Sequence, residues 1–263
     1  MELIDDRPSG QPGSSADAEI NLFGGPYVMI GAQRYQVPEG SKRLLAFVAL
    51  RGCRVERRHA AGVLWPVGDD NRAAGNLRSA LWRLRSAGID ILECDKWSLQ
   101  LADRVRVDVI GVNQWADRLI TGCPRDEDLT TAPARVDALE LLPGWYDDWT
   151  ILERERLRQR VMHALEALSR RFTLLGRHAE AVEAGLCAVN SEPLRESAQR
   201  VLIEAHLGEC NWVEARRAYL AYRRLLDQEL GVSPSRDLTA FVYAAAPVCD
   251  DAQPGRVRAT AGR

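Results

Sequence analysis

The sequence lacks the features of a membrane protein and of a metal- or disulfide-stabilised one. It has no apolar run near the about 18 residues that a membrane-spanning helix needs, and its acidic start, MELIDD, has no basic signal-peptide region. The six cysteines include no C-x-x-C pair and the four histidines no H-x₃-H pattern, so the commonest zinc and disulfide frameworks are not indicated. We therefore expect a cytoplasmic protein with no bound metal and no membrane association.

Catalytic motifs are missing as well. No Ser-His-Asp, Cys-His or paired-carboxylate arrangement stands out, so we expect no enzyme, no catalytic residue and no cofactor. The composition is otherwise ordinary, with 46% hydrophobic and 27% charged residues in a chain of 263. This length is sufficient for two domains with cores of their own.

The small net charge of −2 conceals an uneven distribution of charge. Residues 21–110 contain 14 basic against 9 acidic side chains, so the remainder of the chain is acidic. Such a division is expected when one domain meets a polyanion and the other does not. Lysine is scarce, because Lys42 and Lys96 are the only two lysines among 35 basic residues.

The first half of the chain has the pattern of a winged helix-turn-helix. After a polar leader (1–19), three short β-like runs (20–23, 27–30 and 35–37) predict a small antiparallel sheet. Apolar periodicity then predicts three helices, 42–51, 57–65 and 70–87, the first capped by Ser41 and the third by Asp70. A hairpin (89–94 with 97–101), a strand (105–107) and a helix that is capped by Asp108 and ends at Leu119 follow.

The helix over residues 70–87 has one apolar and one polar side. Its predicted seam is Ala74, Leu77, Leu81 and Leu84. Arg72, Asn76, Ser79 and Arg83 are predicted to lie opposite, and Arg and Asn are residue types that read base edges in the DNA major groove. Basic residues placed to meet phosphate are Lys42, Arg43, Arg78 and Lys96. A solvated helix face is the alternative interpretation of this arginine-rich stripe.

The second half is polar over residues 121–135, which predicts a hinge, and almost wholly helical beyond it. Offsetting the chain by 34 residues aligns Leu168 with Leu202, Ala181 with Ala215 and the segment around Gly176 with that around Cys210. Such a period predicts tetratricopeptide-like helical hairpins, with an unspecialised helical bundle as the alternative. Alternating Arg and Glu predict a solvated, salt-bridged helix surface carrying Arg154, Arg156, Arg158 and Arg160.

Several stretches, taken in order, resemble a known family. NLFGG, VPEGSKRLLAFVAL, NLRSALWRLRSAG, LPGWYDDW and EARRAYLAYRRLLDQELGVSPS are similar to the antibiotic regulatory proteins of actinobacteria (SARP type). That family pairs an OmpR-like winged helix with a bacterial transcriptional activator domain, and the resemblance covers about residues 20–245. The G-x-x-x-x-G-K-[ST] phosphate loop is absent from the sequence, so we expect a short-form member without the ATPase module.

The resemblance implies a fold and a set of domains. The fold class is an α+β winged helix-turn-helix domain followed by an all-α tetratricopeptide-like helical repeat domain. The implied segments are a disordered leader (1–19), the DNA-binding domain (20–120), the hinge (121–135), the activator domain (136–246) and a disordered tail (247–263).

The resemblance also implies a function. It predicts a sequence-specific activator that binds direct repeats of double-stranded DNA near the −35 element, as a homodimer on DNA, and recruits RNA polymerase holoenzyme through the sigma factor. A secondary-metabolite gene cluster is the implied target. The loop implied to contact polymerase is Trp65, Pro66, Val67, Gly68, Asp69 and Asp70. Two alternatives stay open: a tetratricopeptide-type interaction adaptor that does not bind DNA, and a repressor that occludes a promoter.

Overall fold

The computed structural model describes residues 17–129 and 140–245. The predicted tail and most of the predicted leader lie outside these residues, as does the end of the predicted hinge (130–135). The chain divides into two compact units, of which the first ends at Ala164 and the second begins at Leu165. All strands within the described residues belong to the first unit.

The first unit alternates short strands and helices. Its strands are β1 (Ala18–Asn21), β2 (Tyr27–Ile30), β3 (Gln33–Gln36), β4 (Val55–Glu56), β5 (Leu92–Cys94), β6 (Ser98–Leu101) and β7 (Val105–Val107). Its helices are α1 (Glu39–Arg51), α2 (Arg57–Leu64), α3 (Asp70–Ser86), α4 (Asp108–Ile120), a 3₁₀ turn (Asp126–Leu129) and the start of α5 (Asp148–Leu174). The predicted winged helix-turn-helix is confirmed.

Two small sheets frame the three helices. The first has the strand order β3-β2-β1-β7 and the second β4-β6-β5. The predicted antiparallel pairing of the first three strands is confirmed, and β7 joins their sheet by pairing with β1 in parallel. Strand β4, only two residues long, was not predicted; it pairs with β6 and thereby fixes the start of α2 beside the hairpin.

Two predicted helix caps are corrected. Helix α1 begins at Glu39, so Ser41 lies inside the helix; it is buried there and its Oγ donates to the Ala80 carbonyl at 2.8 Å. Asp108 is the first residue of α4, and its carboxylate accepts the backbone N–H groups of Leu22 at 2.8 Å and Phe23 at 3.0 Å. Both side chains thus tie separate elements together, and Asp108 Oδ1 also accepts the N–H of Val109 in its own helix at 2.7 Å.

The division into units falls beyond the predicted hinge because the chain on both sides of residues 130–139 packs on the first unit. Asp128 is buried and accepts from the guanidinium of Arg118 at 2.6 and 2.7 Å, a contact that lowers the pKa of the Asp128 carboxyl. The Leu142 N–H donates to the Leu22 carbonyl at 3.1 Å, one residue beyond the end of β1. The boundary therefore lies within α5.

The arginines of α5 do not all lie on a solvated surface. Arg156 and Arg158 pair with glutamates three residues earlier, as predicted. The prediction is wrong for Arg154, whose guanidinium donates to the carbonyls of Leu141, Leu142 and Trp145. Arg160 pairs with Asp117 of α4.

The second unit consists of helices that pack as hairpins. The end of α5 is followed by α6 (His178–Ser191), α7 (Glu196–Gly208), α8 (Trp212–Leu230) and α9 (Arg236–Ala244). Residues aligned by the 34-residue offset are buried alike: Leu168, Leu202, Ala181 and Ala215. The predicted helical repeat is confirmed by this agreement.

The turn between α5 and α6 and the turn between α7 and α8 have the same backbone conformation. Gly176 has φ +71° and Cys210, the aligned residue, has φ +60°. The N–H of Arg177 donates to the Phe172 carbonyl at 2.9 Å, and that of Asn211 donates to His206 at the same distance. Both turns require the left-handed backbone that favours glycine.

Replacing Cys210 by Gly should therefore stabilise the protein. Cys210 is exposed, so the substitution loses little packing and relieves a left-handed conformation that costs a non-glycine residue roughly 1 kcal/mol. We expect the free energy of unfolding, measured with urea, to rise by about that amount. Gly176→Ala should lower it to a similar extent, and a loss of stability in Cys210→Gly would contradict this explanation.

Candidate nucleic-acid interface

Helix α3 is anchored at its start and along its inner side. Asp69, not Asp70 as predicted, is the cap, and its Oδ1 accepts the N–H of Arg72 at 2.7 Å. The buried residues of α3 are Ala73, Leu77, Ala80, Leu81 and Leu84. The predicted seam is thus correct at its three leucines, whereas Ala74 is only half-buried.

The predicted base-reading set, Arg72, Asn76, Ser79 and Arg83, lies along one flank of α3. Arg72 and Ser79 are exposed, and Asn76 is half-buried. The Arg83 guanidinium lies against the start of α1, where its Nη1 is 3.5 Å from the Gly40 carbonyl. A Cβ on Gly40 would lie 2.6 Å from that nitrogen, so this glycine makes the contact possible.

The predicted phosphate-binding residues fall into two groups. Arg78 and Lys96 line one groove. Lys42 and Arg43 lie on α1, where Lys42 Nζ is 2.5 Å from Glu39 and Arg43 pairs with Asp147. The structure therefore brings Arg78 and Lys96 together and gives the two α1 residues carboxylate partners.

That groove, here called the basic groove, lies between α2, α3 and the β5–β6 turn. It has a volume of about 600 Å³ and is lined by four basic side chains from three elements: Arg57, Arg58, Arg78 and Lys96. Asn71 also lines it, as do Asp70 and Asp95. Asp70 pairs with Arg58 at 3.1 Å, and both side chains are largely exposed. A concave surface with this excess of positive charge suits a polyanion.

Sequence reasoning missed Arg57, Arg58 and Asn71. The two arginines begin α2, and the pairing of β4 with β6 turns that end of the helix toward the hairpin. The Arg57 N–H donates to the Trp97 carbonyl at 2.8 Å, which joins α2 to the hairpin directly. The adjacent arginines at a helix start were the available signal, but the two-residue strand that orients them was not recognisable.

The hairpin turn is held by one carboxylate. Asp95 Oδ1 accepts the N–H groups of Trp97 and Ser98, each at 2.7 Å. These backbone hydrogen bonds, that of Ser98 above all, lower the pKa of the Asp95 carboxyl to about 2. Lys96 then lies at the tip of the turn with its Nζ 4.9 Å from the centre of the Trp97 ring.

The turn should loosen only in strong acid. Because the pKa of Asp95 is lower in the folded protein than its ordinary 3.8, its stabilising contribution is present above about pH 4 and is lost as the pH falls toward 2. We expect the amide proton shifts of Trp97 and Ser98 to titrate over that range by NMR. Asp95→Asn should remove this titration; its persistence in the variant would assign it to another group.

Among the residues that the structure describes, no cluster of His, Cys, Asp and Glu has the arrangement of a metal site. Searched over the same residues, no helix combines the length and apolar character needed to cross a membrane.

Comparison with known protein families gives a match in the second half of the chain. The bacterial transcriptional activator domain matches residues 134–244. These residues form the helical part of the chain beyond the winged helix, which is the order of domains that the sequence resemblance implied.

A solved structure agrees with this fold. Mycobacterium tuberculosis EmbR, solved in complex with a low-affinity phosphopeptide, superposes with a TM-score of 0.66 at 18% sequence identity. The match covers 89% of this chain and 67% of EmbR. At this identity the likeness shows the fold alone. No curated protein matches the chain.

The loop that the sequence resemblance implies to contact polymerase connects α2 to α3. Val67 is 85% exposed, whereas Trp65 is half-buried. Gly68 has φ +115°, a backbone conformation that glycine adopts readily. Asp69 and Asp70 are engaged with α3 and Arg58, and Val67 is the large hydrophobic side chain that this loop exposes.

Proposed function

We propose that the chain is a SARP-type transcriptional regulator, a DNA-binding activator that inserts α3 into the major groove. The observation that carries the proposal is the basic groove, where four basic side chains from three elements meet beside α3. Basic side chains fix a protein on DNA through phosphates, and a single helix fits the major groove. The Lys96 turn reaches a neighbouring phosphate or the minor groove.

The finer features of the proposal follow the family. The protein binds direct repeats near the −35 element as a homodimer and recruits RNA polymerase holoenzyme through the sigma factor, with the Trp65–Asp70 loop in contact with polymerase. It acts in the cytoplasm, associated with the nucleoid, on a secondary-metabolite gene cluster. The predicted base-reading set contributes to sequence recognition, and Lys42 and Arg43 add phosphate contacts if DNA displaces their carboxylate partners.

Selection of bound sequences from a random double-stranded pool tests DNA recognition. We expect the full chain to enrich a direct repeat at about one helical turn, roughly 10–11 base pairs. Binding should weaken steeply with salt because phosphate contacts release counterions. Recovery of no motif, together with binding that does not depend on salt, would overturn the proposal and favour an interaction adaptor.

In vitro transcription from a promoter that carries the selected repeat tests the direction of regulation. With purified polymerase holoenzyme, an activator raises transcript yield as the protein is added. A decrease in yield would instead identify a repressor that occludes the promoter. Val67→Ser provides a separate test of the polymerase loop, since it should reduce activation and leave DNA binding unchanged.

A further inference from the structure

We infer that α3 reads DNA with the stripe Asn71, Gly75, Arg78 and Trp82, here called the reading stripe, and that Gly75 marks the point where the helix backbone approaches the base pairs most closely. The inference rests on the proposed function, because it names the surface that recognises the bound DNA. These residues follow one another at spacings of four, three and four, so they lie on one side of the helix.

The buried residues of α3 determine which side faces outward. Ala73 and Ala80 are buried, whereas Ala74, assigned to the core by the sequence pattern, is only half-buried. Successive helical residues are turned by about 100° around the axis. The observed buried residues therefore place the centre of the buried side roughly 50° away from the centre that the sequence pattern predicted. The side opposite the core is then the reading stripe, and the predicted base-reading set lies on its flank.

The surroundings of α3 also indicate that the reading stripe is the side that faces DNA. Asn71 and Arg78 line the basic groove together with Lys96. Within the described part of the chain, none of the predicted base-reading set lines that groove. Arg83 instead lies against Gly40 of α1. The reading stripe is therefore continuous with the surface that carries the phosphate-binding groups.

Gly75 has no structural role that requires a glycine. It lies inside α3 in a helical conformation, where glycine weakens the helix relative to alanine. A Cβ at this position would have Arg78 Nη2, at 3.8 Å, as its nearest described neighbour, an ordinary van der Waals contact. The absence of a side chain therefore serves a close approach from outside the chain, a recurring use of glycine where a backbone meets a ligand.

The other members of the stripe indicate what is read. Trp82 is 69% exposed, and an apolar side chain in the major groove contacts the methyl group of thymine. The amide of Asn71 has the donor and acceptor that pair with adenine. The stripe thus fits a half-site that contains A·T pairs, one of whose thymines lies beneath the indole of Trp82.

Gly75→Ala in the full chain is the direct test, measured on the duplex most enriched from the random pool. We expect its melting temperature to rise by roughly 2–4 °C and its affinity for that duplex to fall about tenfold, with binding to random duplex unchanged. Gly111→Ala is the matched control, because Gly111 lies inside α4 with nothing within 4 Å of its Cβ position. It should raise the melting temperature similarly and leave affinity unchanged.

Trp82→Ala tests the thymine contact. The thymines of the selected duplex are replaced by deoxyuridine one at a time. At one position this replacement should weaken binding by the unaltered protein. The same replacement should not change the affinity of Trp82→Ala. The inference would be overturned if Gly75→Ala and Trp82→Ala both kept their affinity while Arg72→Ala or Asn76→Ala lost it. That result would assign base recognition to the predicted base-reading set. If the unaltered protein binds no duplex, the proposed function fails, and this inference with it.

Discussion

Replacing Arg57, Arg58, Arg78 and Lys96 together by alanine should abolish most of the DNA affinity of the protein. These four side chains line one groove and come from three elements, so a single duplex can meet all of them. If each contributes on the order of 1 kcal/mol on random duplex, where Arg78 contacts phosphate in place of a base, affinity for random duplex falls about a thousandfold. The slope of log affinity against log salt should decrease by roughly 3–4, since each neutralised phosphate contributes about 0.9. Fluorescence anisotropy across a salt series measures both quantities.

The control removes the same charge from the same unit but outside the groove. Arg34, Arg51, Arg104 and Arg106 belong to the first unit and do not line the basic groove. Their replacement by alanine lowers the net charge equally and should leave the salt slope almost unchanged. An equal reduction of the slope in both variants would show that the overall charge of the winged helix, and not the basic groove, attracts DNA. Circular dichroism of both variants checks that they are folded.

The sequence was sufficient to predict those helices whose apolar residues are large. Leucines at helical spacing located α3 correctly, and the 34-residue period predicted both helical hairpins. Alanine did not predict which side of the helix is buried, because it is found at both buried and half-exposed positions. The assignment of Ala74 in place of Ala73 and Ala80 displaced the predicted centre of the buried side of α3.

The groove itself depends on contacts that no local pattern reveals. Strand β4 is too short to be recognised, yet its pairing with β6 brings Arg57 and Arg58 to the hairpin. The segment around Leu141 likewise has no strand pattern of its own. It is placed by an isolated bridge to Phe23 and by the guanidinium of Arg154, which the alternation of Arg and Glu assigned to solvent.

Replacing Arg154 by alanine should strongly destabilise the first unit. Its guanidinium donates to three carbonyls, those of Leu141 at 3.0 Å, Leu142 at 2.8 Å and Trp145 at 3.2 Å. Leu141 and Leu142 are fully buried, and Leu142 has φ +48°, a conformation that must be held by its surroundings. Loss of the donor leaves buried carbonyls unsatisfied, so we expect the free energy of unfolding to fall by roughly 2–4 kcal/mol. Urea unfolding followed by circular dichroism measures the change.

Two further variants separate this explanation from a general effect of charge. Arg156→Ala removes the same charge two residues away, from an exposed ion pair with Glu153, and should cost less than about 1 kcal/mol. Arg154→Lys keeps the charge but loses the planar fork that serves three carbonyls at once, so its stability should lie well below that of the unaltered protein. If Arg154→Lys were as stable as the unaltered protein, charge alone would suffice. The carbonyls of residues 141–145 would then not depend on the geometry of the guanidinium.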